Sequence, residues 1–216
     1  MKKIISFSLW GDKDKYIVGA FENIKLQQKY FPNWICRFYI DKNLPSYIYH
    51  KLKKLGAEVI DIDENPNTSL RLGMFWRFKV LEDNDVERFI IRDTDSRIDL
   101  RDYSVVKDWI LSKKPFHIIR DHIYHSTKIM GGMWGATNEI KKIINYTELY
   151  NKFIDENKNN TKFIYGPDQD FLAKYIYPKV KELALIHDNW DRYKEGAKQI
   201  PHLNKSDEYI GKSIEL

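Results

Sequence analysis

Two carboxylates one residue apart, Asp93 and Asp95, follow the apolar run Phe89-Ile90-Ile91 with Arg92 between. Carboxylates this close repel each other unless they share a cation or a proton, and a hard divalent ion takes oxygen ligands from protein and phosphate alike. An Asp-X-Asp at the end of a buried strand therefore suits Mg2+ or Mn2+ bridging a diphosphate. Without the strand it would read as a solvated turn. A second cluster, Arg120-Asp121-His122 with His125, follows Phe116-His117-Ile118-Ile119. Sugar contact, a second metal and a structural ion-pair network would all use these residue types. Sugar contact is favoured, with Asp121 as acceptor. A third candidate, Asp168-Gln169, comes after Gly166-Pro167, where proline in the first turn and an acid near the N-terminus both favour a helix start.

These residues need a frame to bring them together, and hydropathy supplies one. Apolar runs at 4–9, 35–40 and 57–62 alternate with an amphipathic segment at 15–30 and a Pro45-to-Gly56 segment, the pattern of βαβαβ. A helix over 74–81 then leads to a strand at 88–91. Beyond it the pattern predicts a helix at 101–111, a strand at 116–119, an extended piece at 129–136, helices from Asn138 and Pro167, and a strand at 183–186. The expected fold is α/β, a twisted and mostly parallel sheet with helices on both faces. Ligands of such sheets sit at the carboxyl ends of the strands. Ser6, Ser8 and Trp10 close the first strand and Asp41 ends the second, where they would suit a uracil or a ribose. Gly131, Gly132 and Gly135 let backbone approach a ligand closely, and Trp134 among them either stacks on a sugar or packs in the core.

Three stations in order, the strand leading to Asp93-Thr94-Asp95, the segment Gly131-Gly132-Met133-Trp134-Gly135, and Gly166-Pro167-Asp168-Gln169-Asp170-Phe171-Leu172, resemble the small nucleotide-sugar-dependent glycosyltransferases of the GT-A fold, lipopolysaccharide galactosyltransferase-like enzymes among them. The resemblance covers most of the chain. It implies that Asp93 and Asp95 hold the cation, and that His187, or His202 in its place, supplies a third ligand. It implies that Arg77 reaches donor phosphate or sugar, and that Asp168 or Gln169 stands by the anomeric carbon. Arg120, His122, Gly132 and Trp134 would face sugar or acceptor. Two features depart from the pattern: Arg92 replaces the usual apolar residue before the acids, and the C-terminal His-X-X-Gly-X-X-Lys type of signature is absent. Activity follows from the resemblance as transfer of a sugar from a nucleoside diphosphate sugar, UDP-sugar favoured, to a glycan or lipid-linked acceptor. The rival readings are a sugar-phosphate nucleotidyltransferase, for which one glycine at Gly11 makes a poor phosphate loop, and a non-catalytic nucleotide- or sugar-binding module.

Composition narrows the rest. The 216 residues are 43% hydrophobic and 14% aromatic, enough to bury a core, and no linker divides them, so one domain over 1–216 is expected, with a nucleotide-binding half at 1–100 and an acceptor half at 101–216. A single cysteine, Cys36, excludes an internal disulfide and a cysteine zinc site. Asn-X-Ser/Thr triplets at Asn67, Asn145, Asn159 and Asn204 would matter only in a secreted chain. With neither an apolar span nor a leader pattern, a cytoplasmic location is expected. The net charge of +5 is scattered, which argues against nucleic acid and permits peripheral contact with a membrane. The stretch 63–73 and the tail after Asn189 are candidates for a lid.

Overall fold

The computed structural model describes residues 1–160, 162–201 and 208–215. His202 and Asn204 lie outside the described residues. Seven strands form one sheet: β1 (Lys2–Leu9), β2 (Ile35–Asp41), β3 (Glu58–Ile62), β4 (Val86–Ile91), β5 (Phe116–Arg120), β6 (Trp134–Thr137) and β7 (Ala184–Asp188). Their order is β3-β2-β1-β4-β6-β5-β7. Every neighbouring pair is parallel except those made by β6, which runs antiparallel to β4 and β5. Six strands therefore end at one rim, and β6 begins there. Among the described residues no helix is long and apolar enough to cross a membrane.

Alternation along β1 shows how the sheet divides two cores. Ile5, Phe7 and Leu9 face one layer, built with α1 (Asp14–Tyr30), α2 (Ser46–Lys54) and α3 (Leu100–Ser112), while Ile4 faces the other. The second layer contains Phe75, Phe78, Trp134, Tyr146, Phe153 and Phe171, from the segment before β4, β6 itself, α4 (Tyr146–Asn157) and α5 (Pro167–Phe171). Trp134 is a core residue: its ring is fully buried and stacks on Phe116 at 5.3 Å. The large apolar neighbours on its strand face leave no sugar within reach, so the stacking expectation is corrected.

Three segments differ from the sequence pattern for local reasons. The expected helix before β4 is a 3-10 helix over Leu72–Glu82, longer than such helices usually run. Its side chains are buried nearly all round, and the Ser8 Oγ accepts from the Arg77 N–H (2.9 Å) while the Ser6 hydroxyl donates to the Arg77 carbonyl (2.7 Å). Of the extended piece at 129–136, only the end is strand; Gly131 and Gly132 form a turn at the rim. The helix expected from Asn138 is a single 3-10 turn (Asn138–Lys142), and α4 starts at Tyr146, where the Asn145 side chain caps it by accepting from the Glu148 N–H (3.2 Å). After α5 the helix widens into a π turn (Leu172–Ile176) before α6 (Tyr177–Val180). Pro178 has no N–H to donate and its ring crowds the carbonyl one turn back, which the wider turn relieves.

Candidate active site at the sheet rim

Arg77 is the centre of the site. The residue is 5% exposed, and its guanidinium bonds Asp93 Oδ1 on one side and Asp168 Oδ2 (2.9 Å) on the other. Three segments far apart in sequence thus meet on one side chain. The glycine turn makes the room: a Cβ on Gly132 would overlap Asp93 Oδ2, and one on Gly131 would overlap Asp168 Oδ2 and come within 2.8 Å of the Arg77 guanidinium. Asp168 is completely buried, with Oδ1 lacking a hydrogen-bond partner, and burial raises its pKa against the pull of Arg77. Asp93 keeps 40% of its side chain exposed.

Asp95 is the more enclosed of the two acids, with 19% of its side chain exposed. Burial, and then the charge of Asp93, raise its pKa, so the pair carries negative charge that its surroundings do not fully offset. Ser213 donates to Asp95 Oδ2 (2.9 Å), the Ile214 N–H donates to the Asp95 carbonyl (2.8 Å), and Lys15 lies 3.8 Å from the carboxylate. A cleft of about 610 Å³ opens in front of the two acids. Trp10, Tyr16, Asn67, Ser8 and three cations, Lys13, Arg71 and Arg77, line it, while Lys15 is held by Glu215 (2.8 Å). The segment 63–73 contributes Asn67 and Arg71 to its wall and the tail contributes Gly211 and Ser213.

The other predicted residues go elsewhere. Ser6 turns away from the cleft, holding the Arg77 backbone. Asp41 accepts from the Asn43 backbone and side chain (2.9 Å each) and lines a neighbouring groove that shares Asn67 with the cleft. His187 is corrected as a metal ligand: its Nδ1 lies 2.8 Å from His117 Nε2 and its Nε2 lies 3.0 Å from Asp108 Oδ2, so both ring nitrogens are taken. Among the described residues no three His, Cys, Asp or Glu side chains gather as a metal cluster.

Arg120 and Asp121 are also corrected, because both are buried in ion pairs. Arg101 grips Asp121 bidentately, and Asn189 Nδ2 and the Ile210 N–H donate to it as well (2.9 Å each). Four donors on one carboxylate leave it no capacity to take a proton from a substrate. Arg120 bonds Asp188, Glu195 and the Lys128 carbonyl, each at 2.6 Å. Of that sequence cluster only His122 reaches partial exposure. Gln169 is half-buried beside Asp168 at the helix start.

No protein-family model matches the sequence, and no curated protein matches it. Solved structures do. The apo form of the glycosyltransferase GlyE of Streptococcus pneumoniae TIGR4 is similar with a TM-score of 0.55 at 11% identity, over 87% of this chain and 45% of that one. A second GlyE structure gives 0.53 at 13% identity, over 89% and 46%. This chain thus spans about half the length of GlyE. A glycosyltransferase involved in the glycosylation of the major capsid of PBCV-1 gives 0.49 at 15% identity, over 88% and 82%. The fold is that of GT-A glycosyltransferases.

Within that GT-A frame, sequence reasoning missed the residues that hold the acidic loop. Asn23 of α1 donates to the Ser96 carbonyl (2.9 Å) and accepts from the Ile98 N–H (3.0 Å). One turn earlier a Cβ on Gly19 would overlap the Thr94 carbonyl. A glycine and a buried asparagine four apart inside an amphipathic helix were the available signal, since neither type favours a helix interior. Lys15 and Tyr16, at the start of the same helix, and Ser213 in the tail carried no such mark.

Proposed function

We propose that the chain transfers a sugar from a nucleoside diphosphate sugar, a UDP-sugar in the favoured reading, to a hydroxyl of a glycan or lipid-linked acceptor. The observation that supports it is the cleft itself, where a partly buried acidic pair and three basic side chains line one space beside two aromatic rings. A diphosphate needs such cations, and Trp10 and Tyr16 offer flat faces to a base. Two carboxylates whose charge is only partly offset fit a hard divalent ion such as Mn2+ or Mg2+, and when bound it would neutralise the departing diphosphate. Asp95, together with the exposed oxygen of Asp93, would hold it.

The chain's own residues then divide the work. Arg77, fixed on both sides, presents an immobile positive charge where the bond to phosphate breaks, at little cost in reorganisation. Lys13 and Arg71 receive the outer phosphate oxygens. Asp168, enclosed and paired, serves as the counter-ion that holds Arg77 in place, a role that replaces direct proton transfer. Gln169 is left to touch the transferred sugar. Titration calorimetry with UDP, with and without Mn2+, tests the assignment. Tighter binding with Mn2+ is expected, and Asp95→Ala should erase that gain. Equal metal dependence in the variant, or a requirement for a nucleoside triphosphate, would overturn it.

A further inference from the structure

The tail that brings Ser213 to the cleft also carries Tyr209 into a set of aromatic rings that the reading above does not use. His122 stacks on Tyr209, with ring centroids 4.1 Å apart, and lies 5.1 Å from the Tyr124 ring and 6.5 Å from that of Trp190. Tyr124 is 81% exposed, Trp190 44%, and Ile123, next to Tyr124 in the chain, 51%. Large exposed rings grouped in this way are unusual on a surface with no partner.

The platform is stiff, and the buried ion pairs beneath it are the reason. Asp188 takes Arg120 on Oδ2 and receives the Trp190 N–H on Oδ1 (2.8 Å). Glu195 closes the same loop on Arg120, and Arg192 donates to the Ile123 carbonyl (2.6 Å), tying the Trp190 loop to the Tyr124 loop. Asp121 fixes the tail through the Ile210 N–H, next to Tyr209. The cluster that in sequence looked like a contact surface is the scaffold for one.

The tail also measures its position. Tyr209 lies at the platform and Ser213 on Asp95, so their Cα atoms are at most about 14 Å apart, four residues of extended chain. The Tyr209 carbonyl accepts from the Lys212 N–H (3.2 Å), a turn that shortens this to at most about 11 Å, about two sugar rings from the acidic pair. The His122 Nδ1 accepts from the Tyr124 N–H (3.3 Å), which leaves the ring proton on Nε2 as a donor. Tyrosine, tryptophan and histidine present an apolar face with a polar edge, the match for a pyranose with C–H groups on its faces and hydroxyls around its rim.

We propose that His122, Tyr124, Trp190 and Tyr209 form a subsite for a saccharide ring of the acceptor. The proposal rests on the glycosyl-transfer reading for the word acceptor, and its binding test stands apart from that reading. The intact protein is titrated with a panel of neutral oligosaccharides ending in hexose, N-acetylhexosamine, deoxyhexose or pentose, following Trp fluorescence and calorimetry. UDP affinity and melting temperature serve as controls. At least one oligosaccharide should bind in the millimolar range or tighter, and Trp190→Ala and Tyr124→Ala should each weaken it at least tenfold, with UDP affinity and melting temperature unchanged. Trp190→Phe should recover part of the loss. Absence of binding across the panel, or binding indifferent to both substitutions, overturns the subsite. So does Trp190-dependent sedimentation with phosphatidylglycerol vesicles in place of oligosaccharide binding, which would make the surface a membrane contact. Loss of UDP binding with intact oligosaccharide binding would count against the transferase reading and leave the subsite standing.

Discussion

Arg77 concentrates the consequences at the scale of single residues. Replacing it with methionine leaves Asp168 buried without its partner, a loss of about 3 to 5 kcal/mol in unfolding free energy by denaturant titration. Adding Asp168→Leu should restore much of that stability without restoring UDP binding, because the apolar pair packs but cannot meet a phosphate. Recovery of both would mean the guanidinium acts only on the fold. Buried imidazoles set the response to acid. Burial lowers the pKa of His117 well below its ordinary value and lowers His187, and it takes His125 down to about 4. The hydrogen bonds agree: with the His187 Nε2 proton on Asp108, its Nδ1 must accept from His117, whose own Nδ1 is buried and unpartnered. Since the unfolded chain protonates first, the stability these groups contribute is full above about pH 6.5 and falls as the pH drops toward the folded values, by up to about 1.4 kcal/mol per pH unit for each group. Urea midpoints measured between pH 7.5 and 4.5 should decline. A flat profile would place the imidazoles in water.

Two elements act as clamps, α1 from one face and the 3-10 helix from the other. Asn23→Leu removes its hydrogen bonds to the 94–98 loop and leaves the buried Ile98 N–H unmet, while the Ser96 carbonyl keeps Arg97, for about 1 to 3 kcal/mol and a weaker metal-dependent step in UDP binding. Gly132→Ala forces a methyl group onto Asp93 and should cost about 1 to 3 kcal/mol in the same titration. Both variants are expected to fold, and unaltered UDP binding in both would detach the loop's geometry from ligand recognition. What was legible in sequence at this scale follows the physics of local pattern. β1, β2, β4 and α1 announce themselves by periodicity and by punctuation at Pro32, Pro45 and Gly56. The 3-10 geometry of Leu72–Glu82 did not, because two serines some seventy residues away hold the backbone N–H and carbonyl of Arg77. The same limit hid the site's wiring: Asp93, Arg77 and Asp168 are each noticeable alone, but only the fold shows that the first acid is already shared with an arginine. His187 and Asp121 were legible as chemistry and misplaced as function, since sequence does not reveal which partners saturate a buried side chain.

For the molecule as a whole, the sheet order puts the candidate site where the chain's two halves join. The acids leave β4 from the first half, while the glycine turn, Asp168 and Ser213 come from the second, so neither half contains the cleft wall complete. A fragment ending at residue 100 should therefore bind no UDP, and in size-exclusion chromatography it should run as aggregate. Clean monomeric binding by that fragment would show the first half to be self-sufficient. The rim's basic lining also predicts that UDP affinity falls as salt is raised from 50 to 300 mM, because exposed charges such as Lys13 and Arg71 are screened within about 10 Å at 0.1 M.

The reversed strand β6 has a consequence for biosynthesis. It is the partner of β4, yet it is translated 42 residues after β4 ends, from Ile91 to Trp134. At about 5 to 20 residues per second the ribosome leaves the Phe89-Ile90-Ile91 edge bare for some 2 to 8 seconds. A nascent chain in that interval resembles an open-edged intermediate, the species that chaperones bind and that pairs with its own kind when they are scarce.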